Sequence, residues 1–243
     1  MKDDKNLIRI NKFIALCNIC SRRQAEDLIK QSRVKVNGKI QNDLSYIVDV
    51  RTDSIEVDGK VIELKNKNIY IMINKPKNYI VTKKDEYNRK NIFSLIPDFG
   101  SNMLAIGRLD SQTEGMLILT DNGDFAQEII HPKNKIPKTY KVVCKGFISD
   151  NSVDILRKGV EINGKMTLPC KVFVKERKDN RTVLRMTIYE GRNRQIRRMI
   201  EAIGSSVNEL KRLQIGRLKM SKLPIGMWRF LNSRDLALLL ERK

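Results

Sequence analysis

The polar stretch Gly107-Arg108-Leu109-Asp110-Ser111-Gln112-Thr113-Glu114-Gly115 holds the first residues able to do chemistry. It lies between two apolar segments, and its glycines bracket what reads as a loop between buried strands. A carboxylate on a loop at a sheet end is well placed for catalysis. Asp110 and Glu114 also admit an acid pair of the kind that cleaves glycosides, or a plain turn. A second cluster is Arg194, Arg197, Arg198 and Glu201, one stripe of an expected helix over 194–203. Its other stripe is Ile196, Met199, Ile200 and Ile203. Three arginines beside a helix start suit phosphates or a carboxylate partner. Tyr140, at the start of a strand, is either amphipathic packing or a platform for a nucleobase.

Other residue types offer less. Cys17 and Cys20 form a C-x-x-C, but Cys144 and Cys170 are isolated, and Cys17 falls on an apolar helix face. Packing is the favoured reading, with metal or redox chemistry the alternative. His131 is the sole histidine, which removes most Ser-His-Asp, His-rich zinc and multi-histidine mechanisms. It reads as the end of a helix. No G-x-x-x-x-G-K-[ST] or G-x-G-x-x-G run is present, so a nucleotide cofactor has no support.

The chain of 243 residues carries 48 Lys and Arg against 28 Asp and Glu, a formal charge of +20. An excess this large points to a polyanion, nucleic acid before an anionic membrane surface. Residues 1–67 hold 14 basic and 10 acidic side chains, whereas 175–222 hold 14 basic and 5 acidic. The positive excess is therefore concentrated around the arginine helix. The apolar runs are too short to span a bilayer, and MKDDKNLIRI has no apolar signal core, so a cytoplasmic location is expected.

The elements that must position these residues fall into two groups. Ile10, Phe13, Ile14 and Cys17 mark one helix face. Ser21 and Gln24 have capping-box spacing ahead of a second helix with Ala25, Leu28 and Ile29 inside. Val34-Lys35-Val36 runs into Asn37-Gly38, and Ile55–Val57 into Asp58-Gly59, both hairpin turn signals. This is a compact unit over 1–62, followed by a polar joint at 63–68 and a larger unit over 69–243. In the latter, strands are expected at 69–73, 104–106, 116–120, 140–145, 171–174 and 183–189. Helices are expected at 124–130, 150–158, 194–203 and 233–241. The irregular interleaving predicts an α+β fold with a mixed sheet.

Taken together, GRLD with TEG, KTYKV, EGRNRQIRRM and LKRLQIG resemble the ordered motifs of the RsuA/RluB/RluE/RluF family of bacterial rRNA pseudouridine synthases, most closely its RluB-type branch. The stretch RINKFIALCNICSRRQAEDLI with RVKVNG resembles the S-four-like (alpha-L) RNA-binding module of these enzymes. The resemblance implies that the smaller unit is this module and the larger one a catalytic domain with a mixed, mainly antiparallel sheet and flanking helices. It implies isomerisation of uridine to pseudouridine in ribosomal RNA or an assembly intermediate, with no cofactor and no metal, by a monomer. Large-subunit rRNA is the first expectation. A small-subunit target or a non-catalytic rRNA-binding assembly factor is the alternative. The resemblance makes Asp110 the nucleophile, Tyr140 the stacking aromatic and Arg197 the basic partner of Asp110. Arg108, Thr113, Arg194, Arg198, Arg212 and Leu213 become substrate or RNA contacts in the larger unit. Arg22, Arg23, Arg33 and Lys35 are the corresponding contacts in the smaller one.

Overall fold

The computed structural model describes residues 6–65, 67–82, 85–100 and 102–241. The chain divides into two units, one formed by 1–69 with 98–104 and 121–123, the other by the rest. The joint expected at 63–68 falls inside the first span, and two short later segments group with it.

The first unit runs β1 (Leu7–Arg9), α1 (Ile10–Leu16), α2 (Arg22–Lys30), β2 (Val34–Val36), β3 (Lys39–Ile40), β4 (Ile47–Asp49), β5 (Ile55–Val57) and β6 (Lys60–Val61). The Ser21–Gln24 capping box forms in both directions, with Gln24 N–H donating to Ser21 Oγ at 3.3 Å and Ser21 N–H to Gln24 Oε1 at 3.1 Å. Asn37-Gly38 and Asp58-Gly59 adopt positive φ and close the β2–β3 and β5–β6 hairpins. Ile10, Phe13 and Ile14 of α1 pack on Ala25 and Ile29 of α2 and on Val34, Val36, Ile55 and Val57 of the sheet. The short strands β1 and β4 pair separately, a contact that the sequence pattern does not announce. Cys17 and Cys20 pack against this core as free thiols. Burial, reinforced by Glu63, pushes Cys17 up to about 12, and burial with Asp27 raises Cys20. Both thiols therefore stay protonated, which is poor footing for redox or metal chemistry.

The second unit contains β7 (Tyr70–Lys75), β8 (Leu104–Ala105), β9 (Thr113–Thr120), α3 (Gly123–Ile130), β10 (Lys138–Lys145), α4 (Asp150–Lys158), β11 (Glu161–Ile162), β12 (Lys165–Met166), β13 (Lys171–Lys178), β14 (Arg181–Ile188), α5 (Gln195–Glu201), β15 (Val207–Ile215), β16 (Leu218–Lys219), β17 (Trp228–Phe230) and α6 (Ser233–Leu240). Nine strands make one sheet whose main path is β13-β14-β10-β15-β9-β7-β17. Every pairing in it is antiparallel except β15 with β9. The core gathers Met72, Met116 and Ile118 of the sheet with Ala126 and Ile129 of α3 and Leu239 of α6.

Two local expectations need correction. Thr113-Glu114-Gly115 is not loop but the first turn-free stretch of β9, so the polar loop is only 107–112. Gly115 lies at φ +105°, and a Cβ there would sit 2.2 Å from the backbone oxygen of Arg212. It is glycine because β15 comes too close for any side chain. The arginine helix is also shorter than its stripe suggested. It spans Gln195–Glu201, with Arg194 as its N-cap in the left-handed region and Ile203 beyond its end.

Candidate active site

A cleft of about 800 Å³ opens in the second unit, lined by Arg108, Asp110, Thr113, Lys138, Tyr140, Arg194 and Arg212 among others. It is bounded by Ile129 of α3, Ile196 of α5 and the loop 107–112. Tyr140, on β10, is 7% exposed, so its ring is almost wholly in the wall. Its directly paired neighbours are Met186 on β14 and Arg212 on β15.

The sheet end aims Asp110. Thr113 N–H donates to the Asp110 carbonyl at 3.0 Å, closing the turn that ends where β9 begins. Beneath it lies Lys75, the last residue of β7 and fully buried. Its Nζ donates to the carbonyls of Thr113 at 2.8 Å, Pro76 at 2.9 Å, and Asp110 and Ser111 at 3.2 Å each. Burial pushes this ammonium down to about 8, against the opposing pull of Asp110 and Glu114, and Arg212 lowers it further. One buried cation thus ties the Asp110 loop to the strand below it. Sequence reasoning did not single out Lys75. The available signal was a lysine ending a buried strand ahead of proline.

Arg197 was expected to project from a polar helix face. Instead its side chain is only 11% exposed, and its Nε stands 3.9 Å from Asp110 Oδ2. That is a charge contact rather than a hydrogen bond. Its Nη1 donates to the Val207 carbonyl at 3.2 Å and its Nη2 to that of Gln112 at 3.4 Å, while Nε is buried without a hydrogen-bond partner. Burial, and then Arg194, lower its pKa, while Asp110 and Glu201 work the other way. The side chain therefore faces a carboxylate that is itself open to the cleft, with one N–H held in reserve.

The remaining expected contacts separate into three sets. Arg108 and Arg194 are exposed and line the cleft. Thr113 and Arg212 lie in its floor at 2% exposure each, not on a surface. Arg212 Nε donates to the Met116 carbonyl at 2.7 Å, whereas its Nη2 and the Thr113 Oγ1 are buried with no partner. Such atoms are costly unless something enters the cleft to satisfy them. Arg198 is half-buried beside the cleft and donates to Asn193 Oδ1 at 3.2 Å. Leu213 does not belong to the cleft, because a bulge between β15 and β10 turns it to the opposite sheet face. Arg22, Arg23 and Lys35 are exposed in the first unit, and Arg33 is held by Asp58 through a 2.6 Å ion pair.

Two further residues shape the cleft without a sequence signal. Lys138 enters it two positions before Tyr140, and burial together with Arg212 pushes its ammonium down to about 8. Arg192 donates from Nη1 to the Lys165 carbonyl at 2.9 Å and pairs with Glu190 at 3.1 Å, pinning the rim to the β11–β12 hairpin. His131 caps a 3₁₀ turn over 132–134, accepting from Lys133 N–H at 3.3 Å. Among the described residues, no group of three His, Cys, Asp or Glu side chains is arranged to hold a metal ion. No helix of the described residues is long and apolar enough to cross a membrane.

The chain thus combines a basic cleft over a mixed sheet, with an aspartate at its mouth and a tyrosine in its wall, and a separate two-helix module. Residues 69–202 match the RNA pseudouridylate synthase family, and residues 8–55 match the S4 domain. An RNA pseudouridine synthase of Aquifex aeolicus is 38% identical over 95% of this chain and 92% of its own. The ribosomal large subunit pseudouridine synthase B of Bacillus subtilis is 38% identical over 90% and 89%. A crystal structure of a pseudouridylate synthase, 30% identical, superimposes with a TM-score of 0.69 over 96% of this chain and 99% of that one. The chain belongs to the RsuA-type family of RNA pseudouridine synthases and is an RNA-isomerising enzyme with an N-terminal S4 domain.

Proposed function

We propose that this enzyme converts one uridine of large-subunit ribosomal RNA, free or in an assembly particle, to pseudouridine with Asp110 as nucleophile. The observation that carries the reading is Asp110 at the cleft mouth, 34% exposed in its side chain and 3.9 Å from the buried Arg197. A carboxylate must be ionised to attack, and the Arg197 guanidinium supplies the positive charge facing it. The target uridine leaves its stack, at about a few kcal/mol, and enters the cleft. Asp110 bonds to C1′ and the uracil departs with the N1 electron pair. The base turns against the Tyr140 ring, and C5 then displaces the carboxylate from C1′. Tyr140 assists loss of the C5 proton, which is matched by one gained at N1. The product is an isomer and the aspartate is regenerated, so the residues of this chain suffice. Thr113 Oγ1 and Arg212 Nη2, unpaired at the floor, are suited to accepting or donating bonds to the uracil edge.

The large-subunit target is supported by the name of the Bacillus subtilis relative. In this reading the S4 module spans 1–62, joined through 63–68 to a catalytic domain over 69–243. Arg22, Arg23, Arg33 and Lys35 supply RNA contacts in that module, and Arg194 and Arg198 hold phosphate near the cleft. The enzyme works as a monomer, as the family resemblance implies, in the cytoplasm where ribosomes are assembled. The test is pseudouridine mapping of rRNA from cells with and without the gene. One large-subunit uridine should change state, and no change at any uridine refutes the reading. Asp110→Asn should bind RNA as the wild type does and isomerise nothing. Activity near wild type would remove Asp110 from its role.

A further inference from the structure

The sheet face opposite the cleft carries a second basic surface that the reaction does not use. Phe173 on β13 pairs directly with Arg185 on β14, Arg185 with Lys141 on β10, and Lys141 with Lys211 on β15. Direct cross-strand partners share a face, so the four side chains form one row across four neighbouring strands. Strands lie about 4.8 Å apart, which sets three cations in a line of roughly 10 Å. Like charges directly opposite each other are destabilising. A row of them persists where something other than the protein supplies the counter-charge. The acids nearest in register are Glu209, opposite Val143, and Glu114, opposite Lys211 but 3.6 Å from Lys77.

Beside the row lies a groove of about 540 Å³, lined by Lys171, Arg185, Lys219, Tyr189 and Leu213 among others and by no carboxylate. Thr139 and Thr187 also line it and bond to each other through their hydroxyls at 2.9 Å, which leaves the cations as its charged feature, with Gln214 and Ser221 beside them. Among the described residues, Lys141, Lys171, Arg185, Lys211 and Lys219 have no ion-pair partner. At the end of the row Phe173 is 53% exposed, a large ring left in water on a strand at the sheet's edge. Cations that track a backbone, interleaved with exposed aromatics and an apolar side chain, are the chemistry of a single-stranded nucleic acid platform.

We infer that this outer face binds a single-stranded segment of the RNA substrate away from the target uridine, with phosphates on Arg185, Lys141 and Lys211 and a base against Phe173. The groove beside it takes a neighbouring nucleotide, its base against Tyr189 and Leu213 and its phosphate on Lys171 or Lys219. This inference moves the RNA contact expected of Leu213 from the cleft to this groove. The inference rests on the RNA-directed activity of the family and is independent of which rRNA is modified.

The test uses full-length protein and a 40-nucleotide single-stranded RNA without structure, with binding measured across a salt series. Lys141→Gln, Arg185→Gln and Lys211→Gln together should weaken binding at least tenfold at moderate salt. They should also flatten the slope of log K against log[salt] by about 2, since each phosphate contact on a single strand contributes about 0.7. Phe173→Ala alone should weaken binding about fivefold or more, the cost of one lost stack. Unchanged affinity and slope in folded triple variants refute the inference. A lower affinity with an unchanged slope also refutes it, because lost phosphate contacts must release fewer counterions. Since the probe carries no target site, failure of the rRNA assignment leaves this result unaffected.

Discussion

Replacing Lys75 with methionine tests whether the Asp110 loop is held by a buried cation. The methionine keeps the length of the side chain and removes the three Nζ hydrogens, which serve four carbonyls at 2.8 to 3.2 Å. Bonds to a charged group contribute about 1.5–3 kcal/mol each, so three come to about 5–9 kcal/mol. Against this stands the strain of holding a buried charge. The fall of the Lys75 pKa from 10.5 to about 8 is worth about 3 kcal/mol, at about 1.4 kcal/mol per unit, and the neutral side chain recovers it. The net loss is about 2–6 kcal/mol. For a domain of this size each kcal/mol moves Tm by about 2–4 °C, so a drop of at least about 5 °C is expected. The carbonyls left unpaired belong to Pro76, Asp110, Ser111 and Thr113, so the damage falls on the position of Asp110, the proposed nucleophile. Misplacement by about 1 Å costs on the order of 100-fold in rate. Tritium release from 5-tritiated uridine RNA should therefore show kcat down about 100-fold, with RNA affinity within threefold of wild type. A variant with wild-type kcat and unchanged Tm refutes the argument. So would equal losses in kcat and affinity, which would mean that the whole unit had unfolded.

Other outcomes follow from the same geometry. Gly115→Ala should lower stability by more than about 3 kcal/mol, because its Cβ would lie 2.2 Å from the Arg212 carbonyl oxygen across a strand pair; thermal unfolding near wild type would refute the close approach. Activity and stability should respond oppositely to pH between about 8 and 9. Lys75 and Lys138, both pushed down to about 8, lose their protons there, so the loop anchor and a cleft charge weaken and kcat/KM falls. Over the same interval the unfolded chain holds two protons that the native one has released, so Tm should rise. Above pH 9 the thiols reverse this. Cys17, Cys144 and Cys170, raised to about 12, 12 and 11, and Cys20, also raised, keep protons that the unfolded chain gives up. A Tm that declines steadily from pH 8 refutes the two lysine shifts. Arg22→Glu with Arg23→Glu and Lys35→Glu should weaken rRNA binding and flatten its salt slope, leaving kcat at saturating RNA unchanged; an unaltered slope removes these exposed residues from the interface.

The parts of the fold legible in the sequence are those where local physics and the final structure agree. The capping box at Ser21 and Gln24, the two positive-φ turns at Asn37-Gly38 and Asp58-Gly59, and the apolar stripe of α1 need only neighbours within a few residues. The helix Asp150–Lys158 was readable to the residue for the same reason, its cap Ser149 and apolar face both being local. Strand β15 was not, although it sits at the centre of the sheet between β10 and β9. Its residues VNELKRLQI lack the alternation of a half-buried strand, because Arg212 is buried at 2% exposure and Lys211 and Leu213 face the other side across a bulge. The burial of Lys75 was hidden likewise, since nothing local says that four carbonyls from elsewhere will surround its ammonium.

By itself, the sequence determined the class of partner, through an excess of 20 positive charges, and the family, through motifs whose order and residue types survive without any contact being known. It also delivered the candidates Asp110, Tyr140 and Arg197, because chemistry restricts which side chain types can serve. Only the tertiary structure decided what each candidate touches. It turned Arg197 inward to 3.9 Å from Asp110, sank Arg212 and Thr113 into the cleft floor, sent Leu213 to the far face and brought Lys75 under the loop. The reason is that sheet neighbours here come from residues 97 positions apart, as Gly115 and Arg212 are, and up to 159 apart, as Ile71 and Phe230 are. Burial, pairing and the face a side chain joins are properties of those distant contacts, and local composition carries no record of them.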